Sequence, residues 1–101
     1  MWPQRRKYWA ADMLAALDEA VSATEDKWLA YRSEPWNTAV PLAEAIDDFL
    51  GGIQKALRQQ FFLLRSAPDD LFLIVVVKAI EKSGTHTRQE IEEALGVTLP
   101  E

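Results

Sequence analysis

The sequence predicts an all-α fold, and three observations lead to this prediction. Two stretches repeat apolar residues at steps of three and four, which places them on one helical face. Outside residues 71–77, no stretch is typical of a β-strand. A short segment containing Pro35 separates the two stretches, so the chain is expected to fold back as an antiparallel helical hairpin. With two shorter helices after it, we expect a four-helix, bundle-like fold that is oligomeric.

Length and composition predict one domain spanning residues 1–101. A chain of 101 residues is too short for two separate cores. Its hydrophobic fraction of 49% is too high for a disordered chain, so it is expected to fold. The sequence contains no cysteine, which suits a reducing compartment and predicts a cytoplasmic location.

The first helix is predicted from Gln4 to Arg32, with Pro3 at its N-terminal boundary. The segment from Ser33 to Val40 breaks the helical period and contains turn-forming residues, which predicts the hairpin loop. The apolar seam of the first helix consists of Ala10, Leu14, Leu17, Val21, Thr24, Trp28 and Tyr31.

The second helix is predicted from Pro41 to Arg65. Gly51 and Gly52 interrupt it, which predicts either a kink or a closely packed neighbour. Its seam consists of Leu42, Ile46, Phe49, Ile53 and Leu57. A second apolar flank, formed by Leu50, Leu57, Phe61 and Leu64, predicts that this helix contacts more than one neighbour.

The third helix is expected to start at Ser66, with Asp69 completing a capping box, and to end at Ser83 and Gly84. The run from Leu71 to Val77 is rich in β-branched residues and could also form a buried strand. A lone strand would leave its backbone groups unpaired, so we predict a helix. Because this helix is apolar on nearly all sides, it should be central in the bundle or covered by another subunit.

A fourth, short helix is predicted by a capping box at Thr87 and Glu90 and by a glycine stop at Gly96. Part of this region resembles helix-turn-helix transcription regulators through Lys82, Ser83, Gly84, Thr87, Arg88, Gln89, Glu90, Ile91, Leu95, Gly96 and Val97. The resemblance implies a DNA-binding regulator, in which a recognition helix follows this segment. Residues 98–101 stand where that helix would begin, so we expect no sequence-specific DNA binding through the motif.

The charges are segregated along the chain, although the formal net charge is only −5. In an antiparallel hairpin the basic stretches meet at the open end and the acidic stretches meet at the loop end. Aromatic residues accompany the basic end, a combination that suits phosphate, acidic protein or anionic lipid partners. Together with a loop tryptophan, the predicted partner-binding residues are Trp2, Arg5, Arg6, Lys7, Trp9, Trp36, Arg58, Phe61, Phe62 and Arg65.

The sequence offers little for catalysis, and we predict no catalytic residue, metal or cofactor. His86 is the single histidine, so a serine nucleophile would have only this residue as its base. Two acidic pairs, Glu44 with Asp47 and Glu90 with Glu93, could share Mg²⁺. These pairs are similar to those of all-helical nucleotide pyrophosphatases, with the motif order reversed and one motif incomplete, which leaves a magnesium-dependent enzyme as an alternative.

The function we predict is a small non-catalytic protein-interaction module, such as an adaptor, inhibitor or regulatory subunit, acting as a helical homo-oligomer. A homodimer is the simplest way to cover the apolar surplus, and a heterologous protein partner is the alternative. The expected partner face is Leu71 to Val77, or the flank of Leu50, Leu57 and Leu64, with Trp36 as a loop anchor. A nucleic-acid-binding regulator with a partial helix-turn-helix-like C-terminus is a further alternative, although the acidic net charge argues against nucleic acid as a partner. No apolar run reaches the roughly 20 residues of a membrane span, and we expect no secretion signal.

Overall fold

The computed structural model describes residues 11–98 of the chain, with side chains described from residue 15 onward. This part of the chain forms five α-helices and one 3-10 turn that pack together as a bundle, so the predicted all-α class is confirmed. The elements are α1 (Ala11–Ser33), α2 (Pro35–Thr38), α3 (Leu42–Gln60), the 3-10 turn (Phe62–Leu64), α4 (Asp69–Ser83) and α5 (Arg88–Leu95). The stretch of the predicted first helix before residue 11 lies outside the described residues.

The apolar seams of α1 and α3 face the core, as their spacing predicts. In α1, Leu17, Thr24 and Trp28 are buried, and Val21 and Tyr31 pack against the core from its edge. In α3 the buried seam residues are Ile46, Phe49, Ile53 and Leu57. The rings of Trp28 and Phe49 meet edge to face at 5.2 Å between centroids, which joins the two seams near the loop end.

Helix α4 is the central element of the bundle. The run from Leu71 to Val77 is helical, which confirms the choice of helix over strand. Its buried residues are Leu71, Phe72, Val75, Val76, Val77, Ala79 and Ile80. The chain itself buries five of the seven residues from Leu71 to Val77 and leaves Leu73 and Ile74 half-buried, so the helix is central in the bundle, which is the first of the two predicted alternatives. Leu57 and Leu64, from the second expected partner flank, are also fully buried within the chain.

The main neighbour of α1 is α4, with a smaller contact to α3. Two side-chain hydrogen bonds join α1 to the C-terminal end of α4 and to the loop after it. The ammonium of Lys82 donates to the hydroxyl of Ser22 at 3.2 Å, and the indole N–H of Trp28 donates to the hydroxyl of Thr85 at 3.0 Å. α1 and α4 therefore run side by side in the same direction.

The helix ends near the C-terminus follow the predicted local signals. Gly84 and Gly96 end α4 and α5 in the left-handed conformation, with φ of 78° and 68°. Thr87 and Glu90 form a reciprocal capping box at the start of α5. Ile91 is buried, and α5 packs against both α3 and α4. The last helix is thus part of the bundle.

Several predicted boundaries are wrong. The second long helix ends at Gln60 rather than Arg65, because the backbone of Phe61 is extended (φ −114°, ψ 104°). Pro68, and not Ser66, precedes the first residue of α4. The hairpin loop contains the short helix α2, so the described chain has one α-helix more than the four predicted.

The expected close packing at the two glycines of α3 is also wrong. The helix runs through Gly51 and Gly52 without a break, and both residues are exposed. A methyl group placed on either glycine would meet no other atom within 4 Å. These glycines therefore lie on the solvent face of α3 and do not admit a neighbouring helix.

Candidate interaction surface

The connection between α3 and α4 exposes two large apolar side chains. We call residues 61–66 the Phe62 turn. The extended backbone of Phe61 ends α3 while its N–H still donates to the carbonyl of Leu57 at 2.9 Å. The tight 3-10 turn that follows buries Leu64 completely and leaves Phe62 and Leu63 with exposed fractions of 72% and 44%. One side of the turn is therefore anchored in the core while the other carries apolar surface into solvent.

An arginine lies over the exposed ring of this turn. The guanidinium carbon of Arg65 is 4.9 Å from the centroid of the Phe62 ring, which is within cation–π range. Both side chains are exposed. The Phe62 turn thus offers an aromatic face, an aliphatic side chain and a positive charge at one place.

A second arginine, Arg58, bonds to the turn and to the start of α4. Arg58 donates one hydrogen bond to the carbonyl of Arg65 at 2.8 Å and another to the carboxylate of Asp69 at 3.0 Å. Its guanidinium also lies 4.6 Å from the ring centroid of Phe72, at the start of α4. Gln54 donates to the same Asp69 oxygen. Arg58 therefore holds the two ends of the α3–α4 connection together.

The contacts of Arg58 differ in how much they stabilise the turn. Asp69 is 81% exposed at its side chain, so water screens its ion pair with Arg58, and such pairs contribute at most about 1 kcal/mol. The hydrogen bond to the Arg65 carbonyl is also exposed, but its donor is charged, which strengthens it. Together with the contact over the buried Phe72 ring, it explains better than the ion pair alone why the turn keeps its conformation.

The loop between α1 and α3 carries the other strongly exposed aromatic residue. We call residues 34–41 the Trp36 loop. Trp36 stands on α2 with an exposed fraction of 73%, although the nearby rings of Trp28, Tyr31 and Phe49 close the core beneath the loop. The core at this end is therefore complete without Trp36.

Hydrogen bonds from α1 hold the Trp36 loop in a defined conformation. Arg32 donates to the carbonyls of Asn37 and Val40 at 2.8 and 2.9 Å. The amide of Asn37 donates to the carbonyl of Tyr31 at 3.0 Å, and the hydroxyl of Thr38 donates to the carbonyl of Glu34 at 2.9 Å. Because side chains satisfy these carbonyls, Trp36 projects from an ordered support.

The structure brings together only some of the residues predicted as partner-binding. Arg58, Phe61, Phe62 and Arg65 all belong to the connection between α3 and α4, where Phe61 is half-buried against the core. Trp36 lies at the opposite end of α3, whose 19 residues span about 28 Å. Five further predicted residues lie outside the described residues: Trp2, Arg5, Arg6, Lys7 and Trp9.

Two residues of these surfaces were missing from the prediction. Leu63 is exposed beside Phe62, and Arg32 organises the Trp36 loop. A signal for Leu63 exists in the sequence, since residues 61–64 are four consecutive apolar residues at a helix end and cannot all point toward one core. No sequence signal identifies Arg32, because its role depends on two carbonyls that approach it only in the folded loop.

The acidic pair Glu90 and Glu93, considered for magnesium binding, takes part in hydrogen bonds within α5. Within residues 11–98, no group of three or more histidine and carboxylate side chains is placed to hold a metal ion. Glu90 accepts hydrogen bonds from the Thr87 backbone at 3.0 Å and from His86 Nδ1 at 3.3 Å. These bonds hold the pKa of Glu90 below its ordinary value, with the backbone bond as the larger cause. Glu90 thus has a structural task in α5.

Comparison with protein-family models, with curated proteins and with solved structures found no match. No helix in the described part of the chain is long and apolar enough to cross a membrane. The functional argument for this chain therefore depends on its own surfaces.

Proposed function

We propose that this chain is a small non-catalytic protein-interaction module that forms homo-oligomers, in the role of an adaptor, an inhibitor or a regulatory subunit. The observation that carries the proposal is the exposure of Phe62. Leu64, two residues later in the same turn, is fully buried. A chain with a complete core gains nothing in folding from a phenyl ring held in water.

Phe62 and Trp36 leave apolar area uncovered. Burying a phenylalanine side chain contributes about 1.5–3 kcal/mol relative to leaving it exposed. Phe62 and Trp36 both forgo this gain while their supporting turns are fastened by arginine side chains. An ordered support lowers the entropy lost when a partner covers the ring, and this favours binding.

The residue types of the two surfaces are those that dominate protein interfaces. Tryptophan and arginine are enriched among the side chains that contribute most to binding, and an exposed apolar group beside them extends the contact. Trp36 supplies the indole at one end of α3, and Arg65 with Leu63 supplies the other components at the opposite end. Charged groups at the edge of such a contact set its orientation and its sensitivity to salt.

The proposal assigns the contact to the ends of the bundle. The apolar faces of α3 and α4 are used within the chain, so they do not serve as the interface. Contacts built on one or two aromatic side chains bury little area, and interfaces of this size belong to the weak and transient class. We therefore expect a reversible association that increases with protein concentration and not an obligate dimer.

The test is sedimentation equilibrium of the purified chain from about 10 µM to about 1 mM, a range that covers weak association. We expect the weight-average mass to rise with concentration for the natural sequence. Phe62→Ser should reduce that rise. Gln59→Ser is the matched control, because Gln59 is an exposed polar residue one turn earlier. A constant monomer mass across the range would contradict self-association, and an unchanged rise for Phe62→Ser would contradict the assigned surface.

A further inference from the structure

We infer that copies of this chain associate head to tail, with the Trp36 loop of one copy seated on the Phe62 turn of the next. The inference rests on the proposed function, because it names the partner of the same surfaces as a second copy and states how the two copies are oriented. Three properties of the two surfaces carry it: their positions, their charges and their chemistry.

The positions rule out contact between the two surfaces within one chain. α3 connects the Trp36 loop to the Phe62 turn, and its 19 helical residues separate them by about 28 Å. Hydrogen bonds hold both connections at the ends of this helix. The Trp36 ring can therefore reach a Phe62 ring only on another molecule.

The charges around the two surfaces have opposite signs. Arg32, the cation bonded to the Trp36 loop, donates to two carbonyls of that loop, and the exposed cations of the neighbouring helices are Lys27 on α1 and Lys82 on α4. The exposed carboxylates of the loop and of the first two turns of α3 are Glu34, Glu44, Asp47 and Asp48. This end of α3 is therefore negative.

At the Phe62 turn the cations are in excess. Arg65 and Lys55 are exposed, and Arg58 is paired with the carboxylate of Asp69. The second carboxylate at the start of α4 is Asp70. Contact between unlike ends brings opposite charges together, whereas contact between two Phe62 turns or two Trp36 loops brings like charges together. Electrostatics thus favours contact between unlike ends over a two-fold contact between two like ends.

The side chains at the two surfaces are also chemically complementary. Arg65 already lies over the Phe62 ring, and an indole is the strongest natural acceptor of a cation–π contact. Seated on the Phe62 turn, Trp36 would share Arg65 with Phe62 and cover the apolar side chain of Leu63. The contact would bury the three most exposed large apolar side chains of the two connections together.

Head-to-tail contact has a consequence for assembly. Each added copy leaves one Trp36 loop and one Phe62 turn uncovered at the ends of the assembly. When copies stack end to end through this contact, it does not close on itself, and open chains grow as the concentration rises. A symmetric dimer would instead stop at twice the monomer mass.

The test uses two variants that each lose one surface, Trp36→Ala and Phe62→Ala. Both positions are exposed, so thermal unfolding should remain within a few degrees of the natural chain and should confirm that both variants fold. Sedimentation is measured for each variant alone and for their equimolar mixture, at a concentration where the natural chain associates. Val97→Ala, which shortens an exposed apolar side chain after α5, is the control and should associate as the natural chain does.

We expect each variant alone to be monomeric and the mixture to form dimers, because one variant keeps its Phe62 turn and the other keeps its Trp36 loop. The mixture should stop at about twice the monomer mass, since each such dimer ends in two disabled surfaces. Added salt should weaken association of the natural chain.

Two results would overturn the inference while leaving self-association in place. One is Trp36→Ala associating as strongly as the natural chain, which a symmetric contact through the Phe62 turn would produce. The other is a mixture that stays monomeric although the natural chain associates. A natural chain that is monomeric at every concentration would overturn this inference and the proposed self-association together.

Discussion

The indole N–H of Trp28 donates a hydrogen bond to the hydroxyl of Thr85, which lies 57 residues later in the chain, at 3.0 Å. This bond joins the C-terminal half of α1 to the loop that follows α4. Trp28 is fully buried and Thr85 lies exposed at the edge of the core, so the indole N–H loses its protein partner if the hydroxyl is removed. The bundle therefore depends on a loop hydroxyl to satisfy a polar group in its core.

Replacing Thr85 tests this dependence. Thr85→Val should lower the free energy of unfolding by about 1–3 kcal/mol, because a buried donor loses its acceptor. Thr85→Ser keeps the hydroxyl and should cost much less. Urea denaturation followed by tryptophan fluorescence measures both variants, and equal losses for the two would show that the hydrogen bond does not contribute.

Arg58 is expected to matter more for stability than its ion pair suggests. Arg58→Met removes the hydrogen bond to the Arg65 carbonyl and should destabilise the fold by about 1–3 kcal/mol. Asp69→Asn weakens only the exposed ion pair and should cost below about 1 kcal/mol. Denaturation of the two variants decides the order, and a larger loss for Asp69→Asn would reverse our account of the turn.

The glycines of this chain should respond in opposite directions to substitution by alanine. Gly52 lies in the middle of α3 with open space around it, so Gly52→Ala should stabilise the protein by about 0.5–1 kcal/mol. Gly84 has a φ of 78°, and Gly84→Ala should destabilise by about 1 kcal/mol. Thermal unfolding of both variants checks the prediction. A destabilised Gly52→Ala would contradict the open space that the structure shows around Gly52.

The capping box of α5 should make stability depend on pH in the acid range. Hydrogen bonds from the Thr87 backbone and from His86 lower the pKa of Glu90 in the folded state. The Glu90 carboxylate therefore stabilises the fold at pH values above the pKa that it has in the unfolded chain. This contribution is lost as the pH falls from 4.5, the ordinary glutamate pKa, through the lower folded value. Denaturation curves at neutral and acid pH measure it.

Two variants isolate the Glu90 contribution from those of other carboxylates. Glu90→Gln should be destabilised at neutral pH and should lose less stability on acidification than the natural chain. Glu93→Gln, three residues along the same helix and exposed, should follow the natural chain. Parallel acid losses in the natural chain and in Glu90→Gln would contradict the role given to the capping box.

The features that the sequence predicts well are those that depend on local chemistry or on a sustained period. Thr87 with Glu90, and the glycines at 84 and 96, specify helix ends within a few residues of themselves, and the structure has these ends. The seams of α1 and α3 extend over several turns, so one irregular residue does not obscure them. The helical state of Leu71 to Val77 followed from the lack of any strand that could pair with it.

The features that the sequence predicts poorly depend on tertiary contacts. Leu57, Phe61 and Leu64 continue a helical period across the end of α3, so the extended backbone at Phe61 leaves no trace in the pattern. The apolar surplus of α4 suggested an uncovered face because nothing in the sequence shows that α1 packs mainly against it. The sequence predicts Phe62, Arg65 and Trp36 as partner-binding residues. Only the fold shows that Trp36 lies at the opposite end of α3 from the other two.

The most direct test of the proposed contact is a dilution series of ¹H–¹⁵N correlation spectra of the natural chain. We expect the signals that shift with concentration to be the indole N–H of Trp36 and the backbone amides of residues 34, 36–40 and 61–66. The indole N–H of the buried Trp28 should stay in place. Shifts centred on the solvent faces of α1 or α5, or spectra that do not change with concentration, would contradict the account.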